Sequence, residues 1–146
     1  MTKKHLDYNG LLISAVSKLA RITGKAIEKP LERFGVSLQE FRITGLLMGE
    51  KPINQKELAK MLSVKPATLS VAVNKLEEKG VLERRVSAED KRVNYLALCE
   101  GLDFSEIEGV LITAEKKMLT GISEKDIDTT RETLKKMILN LEEQKQ

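Results

Sequence analysis

Polar and basic side chains between residues 65 and 92 have the chemistry needed to bind double-stranded DNA. Hydroxyl, amide and ammonium groups recur along the first part of this stretch, at Lys65, Thr68, Ser70, Asn74 and Lys75, with Val71 among them. Groups of this size fit the major groove, where they bind base edges and phosphates. Four basic residues crowd the second part: Arg84, Arg85, Lys91 and Arg92. Since charged stretches are often merely solvated, the elements that carry these residues decide the interpretation.

A helix is needed to present the first group of side chains. Leu69, Ala72, Val73 and Leu76 recur at steps of three and four residues, which predicts a helix over 66–79 with an apolar side against the protein core. Pro66 would open this helix at a first-turn position, where its missing N–H costs nothing. A shorter helix is predicted over 55–62, and the short 63–65 connection makes the pair a predicted helix-turn-helix.

The second group of basic residues falls on a predicted β-hairpin. Segments 81–86 and 92–98 are β-prone with partial alternation, and the polar segment 87–91 between them is turn-forming. A helix-turn-helix followed by a two-stranded wing is a winged helix. We therefore predict a mainly α fold (α+β winged helix), with a DNA-binding lobe over 36–99.

Further helices are predicted on both sides of this lobe, over 11–34, 38–49, 101–119 and 124–144. Ser37, Asn54 and Ser123 each stand three positions before an acidic residue, which is the spacing of a capping box. Pro30 is expected to bend the first helix or to end it early.

Composition excludes several other classes of protein. With one Cys and one His in 146 residues, the chain cannot build a disulfide framework or a self-contained structural zinc site. It contains no run of about 18 apolar residues, which argues against a membrane span and, with the missing disulfides, for a cytoplasmic protein. Neither a Gly-rich phosphate loop nor a Gly-x-Ser-x-Gly motif occurs, so we expect no enzyme activity and no required cofactor.

Charge is divided along the chain more than its total of +3 indicates. Residues 51–99 carry 10 basic and 6 acidic side chains, whereas residues 101–146 carry 7 basic and 10 acidic ones. The predicted DNA-binding lobe is therefore the basic part of the chain, and the last two predicted helices are its acidic part.

The residues in this lobe resemble the MarR family of winged-helix transcription regulators (multiple-antibiotic-resistance regulator). The resemblance rests on Gln55–Ala59, Lys65–Ser70, Leu76–Arg84 and the wing signature Asp90-x-Arg92. It implies a single MarR-like domain over 1–146 that forms a homodimer through helical regions 5–34 and 100–146. It also implies a repressor that binds a pseudo-palindromic operator and responds to a small-molecule effector, whose binding residues remain unknown.

The resemblance further implies individual roles for residues of the lobe. Helix 66–79, including Pro66 at its start, would read the major groove, and Arg92 would enter the minor groove with Asp90 orienting it. A guanidinium in a narrow minor groove senses DNA shape more than sequence. The alternative role for Asp90 and Arg92 is a salt bridge that stiffens the hairpin, and both roles can coexist.

The sequence departs from the family pattern at three places. Val71 stands where the family often has Arg, so it would contact a thymine methyl group or simply be surface. Leu98–Gly101 replaces the usual Thr-Glu-x-Gly helix start, which leaves the helix boundary near residue 100 open. Only five aromatic residues occur, which weakens the expectation of a pocket for phenolic anions.

Two other functions can be weighed from the residues alone. Cys99 could sense oxidants, although a single Cys at a strand end is more often a small buried apolar residue. The winged helix could also be a protein–protein interaction module without sequence-specific DNA binding, and the absence of Arg from the middle of helix 66–79 is the best support for it.

Overall fold

The computed structural model describes residues 5–49 and 51–143, and this part of the chain forms six α-helices and one two-stranded sheet. The helices are α1 (Leu12–Glu32), α2 (Leu38–Leu47), α3 (Gln55–Leu62), α4 (Pro66–Glu78), α5 (Ser105–Met118) and α6 (Glu124–Glu143). The strands are β1 (Leu82–Val86) and β2 (Asn94–Leu98). The mainly helical winged-helix fold predicted from the sequence is confirmed.

The chain divides into two compact units, with the boundary between Val110 and Leu111 inside α5. The first unit contains α1 to α4, the hairpin and the first turns of α5. The second contains the rest of α5 and α6, whose predicted last residue, 144, lies outside the described residues.

The core of the first unit joins the helix-turn-helix to the hairpin. Its buried side chains come from α2, α3, α4, both strands and the segment before α3: Ile43, Ile53, Leu58, Ala59, Leu69, Val73, Leu76, Leu82 and Leu96. The Leu96 N–H donates to the Ile53 carbonyl at 2.8 Å, so the segment before α3 also bonds to β2. Burying apolar side chains from all these elements together holds α4 and the hairpin in one packed body.

Two of the three predicted capping boxes are complete. Ser37 Oγ accepts from the Glu40 N–H at 3.1 Å while Glu40 Oε2 accepts from the Ser37 N–H at 3.0 Å. Asn54 and Glu57 exchange the same two bonds at 2.8 and 3.2 Å. These boxes fix the starts of α2 and α3, because they pair backbone N–H groups that the helix itself leaves without partners.

The prediction for the first helix differs from the structure at its end. Pro30 lies inside α1, which continues to Glu32. A proline removes one hydrogen bond, but the fully buried Leu31 holds this last turn in place. The helix ends two residues before the predicted position 34, because Gly35 takes a left-handed conformation with φ +68°.

The predicted start of α5 at residue 101 is wrong by four residues. Gly101 adopts φ +78°, a left-handed conformation that does not occur within a right-handed α-helix, and the helix starts at Ser105. Asp103 Oδ1 accepts from the Ser105 N–H at 2.9 Å and so pairs the first N–H of the helix, which the helix itself leaves without a partner. This hydrogen bond also lowers the pKa of Asp103 below its ordinary value.

The hairpin strands are shorter than predicted, with Leu82 paired to Leu98 and Val86 to Asn94. Arg92 was predicted at the start of the second strand and lies instead in the loop. The reason is a turn, in which the Val93 N–H donates to the Asp90 carbonyl at 3.0 Å before pairing with β1 begins.

Candidate DNA interface

The connection between α3 and α4 sets the direction of the predicted recognition helix. Ser63 has φ +53°, a left-handed conformation that reverses the chain within one residue. Lys65 then takes the N-cap position of α4 and Pro66 its first turn, and both are exposed. The exposed Lys65 thus stands at the positive end of the α4 dipole, a combination that favours a bound phosphate.

The exposed side of α4 lies opposite its buried Leu69, Val73 and Leu76. Ala67, Val71, Asn74 and Glu78 follow one another along this side, and Val71 in its middle is 61% exposed. Thr68 and Lys75 are exposed beside this row, whereas Ser70 is half-buried. Of the predicted residues on α4, only Ser70 is therefore partly withdrawn from solvent.

Arg84 is held by side chains of two helices. Its Nη1 donates to Glu77 Oε2 at 2.6 Å, and its Nη2 donates to Asn74 Oδ1 at 3.0 Å and weakly to Gln55 Oε1 at 3.4 Å. Its side chain is only 31% exposed. The predicted Arg84 thus ties β1 to α4 and to the first residue of α3.

The wing tip is organised by a buried serine that the sequence analysis did not single out. Ser87 Oγ accepts from the Glu89 N–H at 3.2 Å and from the Asp90 N–H at 3.3 Å, and it lies 3.4 Å from the Tyr95 hydroxyl. The Ser87 N–H donates to the Val93 carbonyl at 2.9 Å. These bonds fix the loop backbone at Asp90, and hence the start of the Asp90-x-Arg92 signature.

Asp90 and Arg92 form the contact expected from their spacing. Asp90 Oδ1 accepts from the Arg92 backbone N–H at 3.0 Å and from Arg92 Nε at 3.1 Å, while Oδ2 accepts from Nη2 at 3.2 Å. These bonds to the guanidinium and to the backbone lower the pKa of Asp90. The Arg92 side chain is nevertheless 90% exposed, so it is both oriented and accessible.

The other two basic residues of the hairpin differ in their surroundings. Arg85 Nε donates to Glu83 Oε1 at 2.6 Å, and this bond raises the pKa of Arg85. Lys91 is exposed at the wing tip and, among the described residues, has no ion pair. The structure thus separates cations with an acidic partner, at 84, 85 and 92, from the exposed lysines at 65, 75 and 91.

Three residues of this network were missed by the sequence analysis: Gln55, Glu77 and Ser87. Local spacing does not mark Gln55 and Glu77, because their partner Arg84 lies 29 and 7 positions away. Ser87 bonds to N–H groups two and three positions on, so its place at the start of a polar turn was a local signal. Ala67 could also have been found by counting helical steps from Leu69, Val73 and Leu76.

Cys99 lies outside this surface, directly after β2. It is half-buried, and its N–H donates to the Val81 carbonyl at 2.9 Å. Across the described ranges, no group of three or more His, Cys, Asp or Glu residues is placed to hold a metal ion. Among these same residues, no helix is long and apolar enough to cross a membrane.

Comparison with known proteins agrees with this geometry. A family model described as MarR family matches residues 34–93, which run from the end of α1 through the helix-turn-helix to the wing tip. The class of protein is a winged helix-turn-helix transcription regulator, whose helix-turn-helix binds DNA. Over residues 34–93 the chain is therefore similar to the MarR family, and its fold is that of solved MarR family regulators.

Several relatives share this architecture. YwoH of Bacillus subtilis (strain 168), an HTH-type transcriptional regulator, is 28% identical over 120 residues, or 81% of this chain and 87% of YwoH. A MarR family transcriptional regulator from Silicibacter pomeroyi DSS superimposes with a TM-score of 0.82 at 17% identity, covering 89% of both chains. CouR from Rhodococcus jostii RHA1, solved with bound p-coumaroyl-CoA, has a TM-score of 0.72 at 20% identity, covering 88% of this chain and 92% of CouR.

Proposed function

We propose that this protein is a ligand-responsive repressor that binds a pseudo-palindromic operator as a homodimer. The observation that carries the proposal is the joint placement of α4 and the wing in one packed unit. The exposed side of α4 bears short side chains that fit the major groove, and the wing presents Arg92, 90% exposed, for the adjacent minor groove.

The exposed lysines support binding to the DNA backbone. Lys65 lies at the N-terminus of α4 and Lys91 at the wing tip, and both are exposed. Ammonium groups at such positions bind phosphates and release counterions, so affinity falls as salt rises. Arg85 and Lys75 would add to this charge.

Exposed apolar side chains on the terminal helices support the homodimer. The exposed apolar residues of α1 are Leu12, Ile13, Val16, Leu19 and Ile22, and those of α6 are Leu134, Ile138, Leu139 and Leu141. Monomeric proteins rarely leave this much apolar surface in water. Two-fold association through these helices would cover it and would present two copies of α4 to half-sites about 10 bp apart.

An open depression in the surface beside the second half of α1 would suit an anionic effector. It has a volume of about 730 Å³ and is lined by Lys25, Ala26, Lys29, Pro30, Glu32 and Arg33. Three cations and one carboxylate give this wall a net positive charge, which favours a carboxylate or a phosphate. Binding of p-coumaroyl-CoA, an anion, by CouR is in line with an effector of that chemistry.

Selection of bound genomic fragments by the purified protein tests the proposal directly. We expect recovery of a palindromic site that the protein binds as a dimer, with affinity that falls steeply as salt rises. The selection is then repeated with p-coumaroyl-CoA, whose negative charge lies on its phosphates, and with aromatic carboxylates as candidate effectors, one of which should release the DNA. A monomer that binds no duplex at low salt would refute the proposal, and binding that ignores salt would favour the protein-interaction alternative.

A further inference from the structure

Arg84 bonds to the amide of Asn74, a residue on the exposed side of α4. The Arg84 Nη2 to Asn74 Oδ1 distance is 3.0 Å, and both residues belong to the same packed unit. Glu77 Oε2, at 2.6 Å from Nη1, holds the other arm of the guanidinium. The planar guanidinium is thus fixed on both sides before any DNA arrives.

The chemistry of the guanidinium decides which way the Asn74 amide points. A guanidinium carries only hydrogen-bond donors, so the Asn74 atom that faces it must be the oxygen. An inverted amide would bring N–H groups against N–H groups and lose this bond. The Asn74 NH₂ group therefore lies on the branch of the amide away from Arg84, and its two N–H donors remain available at the exposed surface.

This orientation changes what Asn74 can read. An unrestrained Asn pairs with adenine by donating to N7 and accepting from the N6 amino group. In this protein Arg84 takes one of the two lone pairs of the accepting oxygen and holds that oxygen against β1, so the NH₂ donors are the part of the amide left for a base. Guanine presents two acceptors in the major groove, N7 and O6, whereas adenine presents one acceptor and one donor.

We propose that Arg84 is a positioning residue that orients the Asn74 amide so that its NH₂ donors face the DNA, and so makes Asn74 select guanine over adenine. The inference rests on the proposed DNA-binding function and deepens it. Arg84 acts through Asn74 and is not itself placed as a phosphate contact, because its side chain is only 31% exposed and its guanidinium is held by Glu77 and Asn74.

The test compares base preference in variants of Arg84 and Asn74. Each protein selects from duplexes randomised at the operator, and affinities are measured for matched guanine and adenine sites. Wild type should prefer guanine at one position in each half-site by about tenfold. Arg84→Met keeps the apolar stem but cannot donate, so this preference should fall towards equal binding of guanine and adenine. Arg84→Met added to Asn74→Ala should change base preference no further.

Two further variants separate positioning from folding and from charge. Asn74→Asp keeps an acceptor for Arg84 but loses the NH₂ donors, so it should fold normally and lose the guanine preference. Lys65→Met, the matched control, removes a predicted phosphate contact and should weaken binding to all sequences equally. Lys65→Met should also reduce the slope of log affinity against log salt concentration by about one. Arg84→Met should leave that slope unchanged.

The outcomes distinguish this inference from the proposed function. If wild type binds no duplex, the proposed function itself fails. If wild type binds and Arg84→Met leaves base preference unchanged, or weakens all sequences alike, the positioning role is overturned. A wild-type preference for adenine at the position sensitive to Asn74→Ala overturns it as well.

Discussion

Arg92 combines two properties that usually exclude each other in a surface arginine. Asp90 holds its backbone N–H and two guanidinium nitrogens within 3.2 Å, yet the side chain is 90% exposed. Less conformational entropy is therefore lost when the guanidinium enters a groove. The geometry that forms the salt bridge in the wing would therefore also suit the proposed minor-groove role.

We expect Arg92→Ala to weaken operator binding by about 1–3 kcal/mol, because it removes the group placed for the minor groove. Asp90→Ala should weaken binding less, since the cation remains but is no longer oriented. Fluorescence anisotropy with a labelled operator measures both effects. Wild-type affinity in Arg92→Ala would count against the wing role.

Val71 is a β-branched apolar side chain that is 61% exposed in the middle of α4. If it packs on a thymine methyl group, replacing that thymine by deoxyuridine should weaken binding by about 0.8 kcal/mol, the value of one buried methylene-sized group. Val71→Ala should abolish this difference between thymine and deoxyuridine. Asn74→Ala, measured with the same two operators, is the control and should keep the difference between thymine and deoxyuridine. If this difference persists in Val71→Ala, the methyl contact belongs to another residue.

At the scale of elements, two junctions set the position of α4. The Gly80 N–H and the Val81 N–H donate to the Glu77 and Leu76 carbonyls, at 3.0 and 2.9 Å, which closes the C-terminus of α4 before β1. Lys79 Nζ, in turn, donates to the Gly35 carbonyl at 3.1 Å and to both oxygens of the buried Glu40 at 2.9 and 3.1 Å. The end of α4 is therefore tied to the junction of α1 and α2.

Gly80→Ala should destabilise the fold by about 1–2 kcal/mol, because Gly80 has φ +72°, a left-handed conformation that is unfavourable for alanine. The added methyl group would meet no neighbouring atom, so the backbone conformation is the only source of this cost. Gly45 is the matched control: it is exposed inside α2, it has equal space, and its φ is not positive. Gly45→Ala should stabilise by up to about 1 kcal/mol. Urea unfolding gives the free energy of unfolding of both variants, which should fall for Gly80→Ala and rise for Gly45→Ala. An equal change in both variants would contradict the backbone explanation.

Glu40→Gln should destabilise the fold by about 1–3 kcal/mol at neutral pH, since it leaves Lys79 without a charged partner. Burial alone would raise the pKa of Glu40, but the Ser37 N–H and the Lys79 ammonium bring it below its ordinary value of 4.5.

Because the folded pKa of Glu40 lies below the unfolded one, its contribution to stability is complete above pH 4.5 and is lost as the pH falls through the folded value. Unfolding curves of wild type and Glu40→Gln should therefore converge in acid. Glu132→Gln, which breaks the exposed pair with Lys135 on α6, is the control and should change stability little at neutral pH. A constant gap between wild type and Glu40→Gln at all pH values would exclude the ion pair as its cause.

At the scale of the whole molecule, the charge of the chain matches the proposed division of roles. The basic residues 51–99 carry α3, α4 and the hairpin, while the acidic residues 101–146 carry α5 and α6, and α6 belongs to the proposed dimer interface. The acidic C-terminal region would repel the phosphates of DNA. A position of this region in the proposed interface between subunits, away from the bound DNA, is consistent with that repulsion.

Val16→Glu on α1 and Leu139→Glu on α6 should each weaken the dimer, because both side chains are exposed and apolar in one subunit. Operator affinity should then fall on the order of a hundredfold, since two half-sites are no longer bound together. Light scattering after size exclusion gives the oligomeric state. Met61→Glu, at an exposed apolar residue of α3, is the control and should leave that state unchanged. A wild-type monomer would refute the proposed dimer.

Local sequence determined the elements of this protein. Cap residues such as Ser37 and Asn54 act within three positions, and the Leu69, Val73 and Leu76 spacing reports one buried helix side, so the order and the starts of α2, α3 and α4 were predictable. The start of α5 was not, because it depends on the backbone conformation of Gly101 and on a cap from Asp103 rather than on apolar spacing.

The residue types of the candidate interface could also be predicted from the sequence, but their pairings could not. Hydrogen bonds between side chains depend on atoms that only folding brings together, across 29 positions for Arg84 and Gln55 and 39 for Lys79 and Glu40. The sequence alone therefore determined that Arg84 and Arg92 are basic residues of one hairpin. Only the tertiary structure decided that Arg92 is left accessible, whereas Arg84 is held by Glu77 and Asn74.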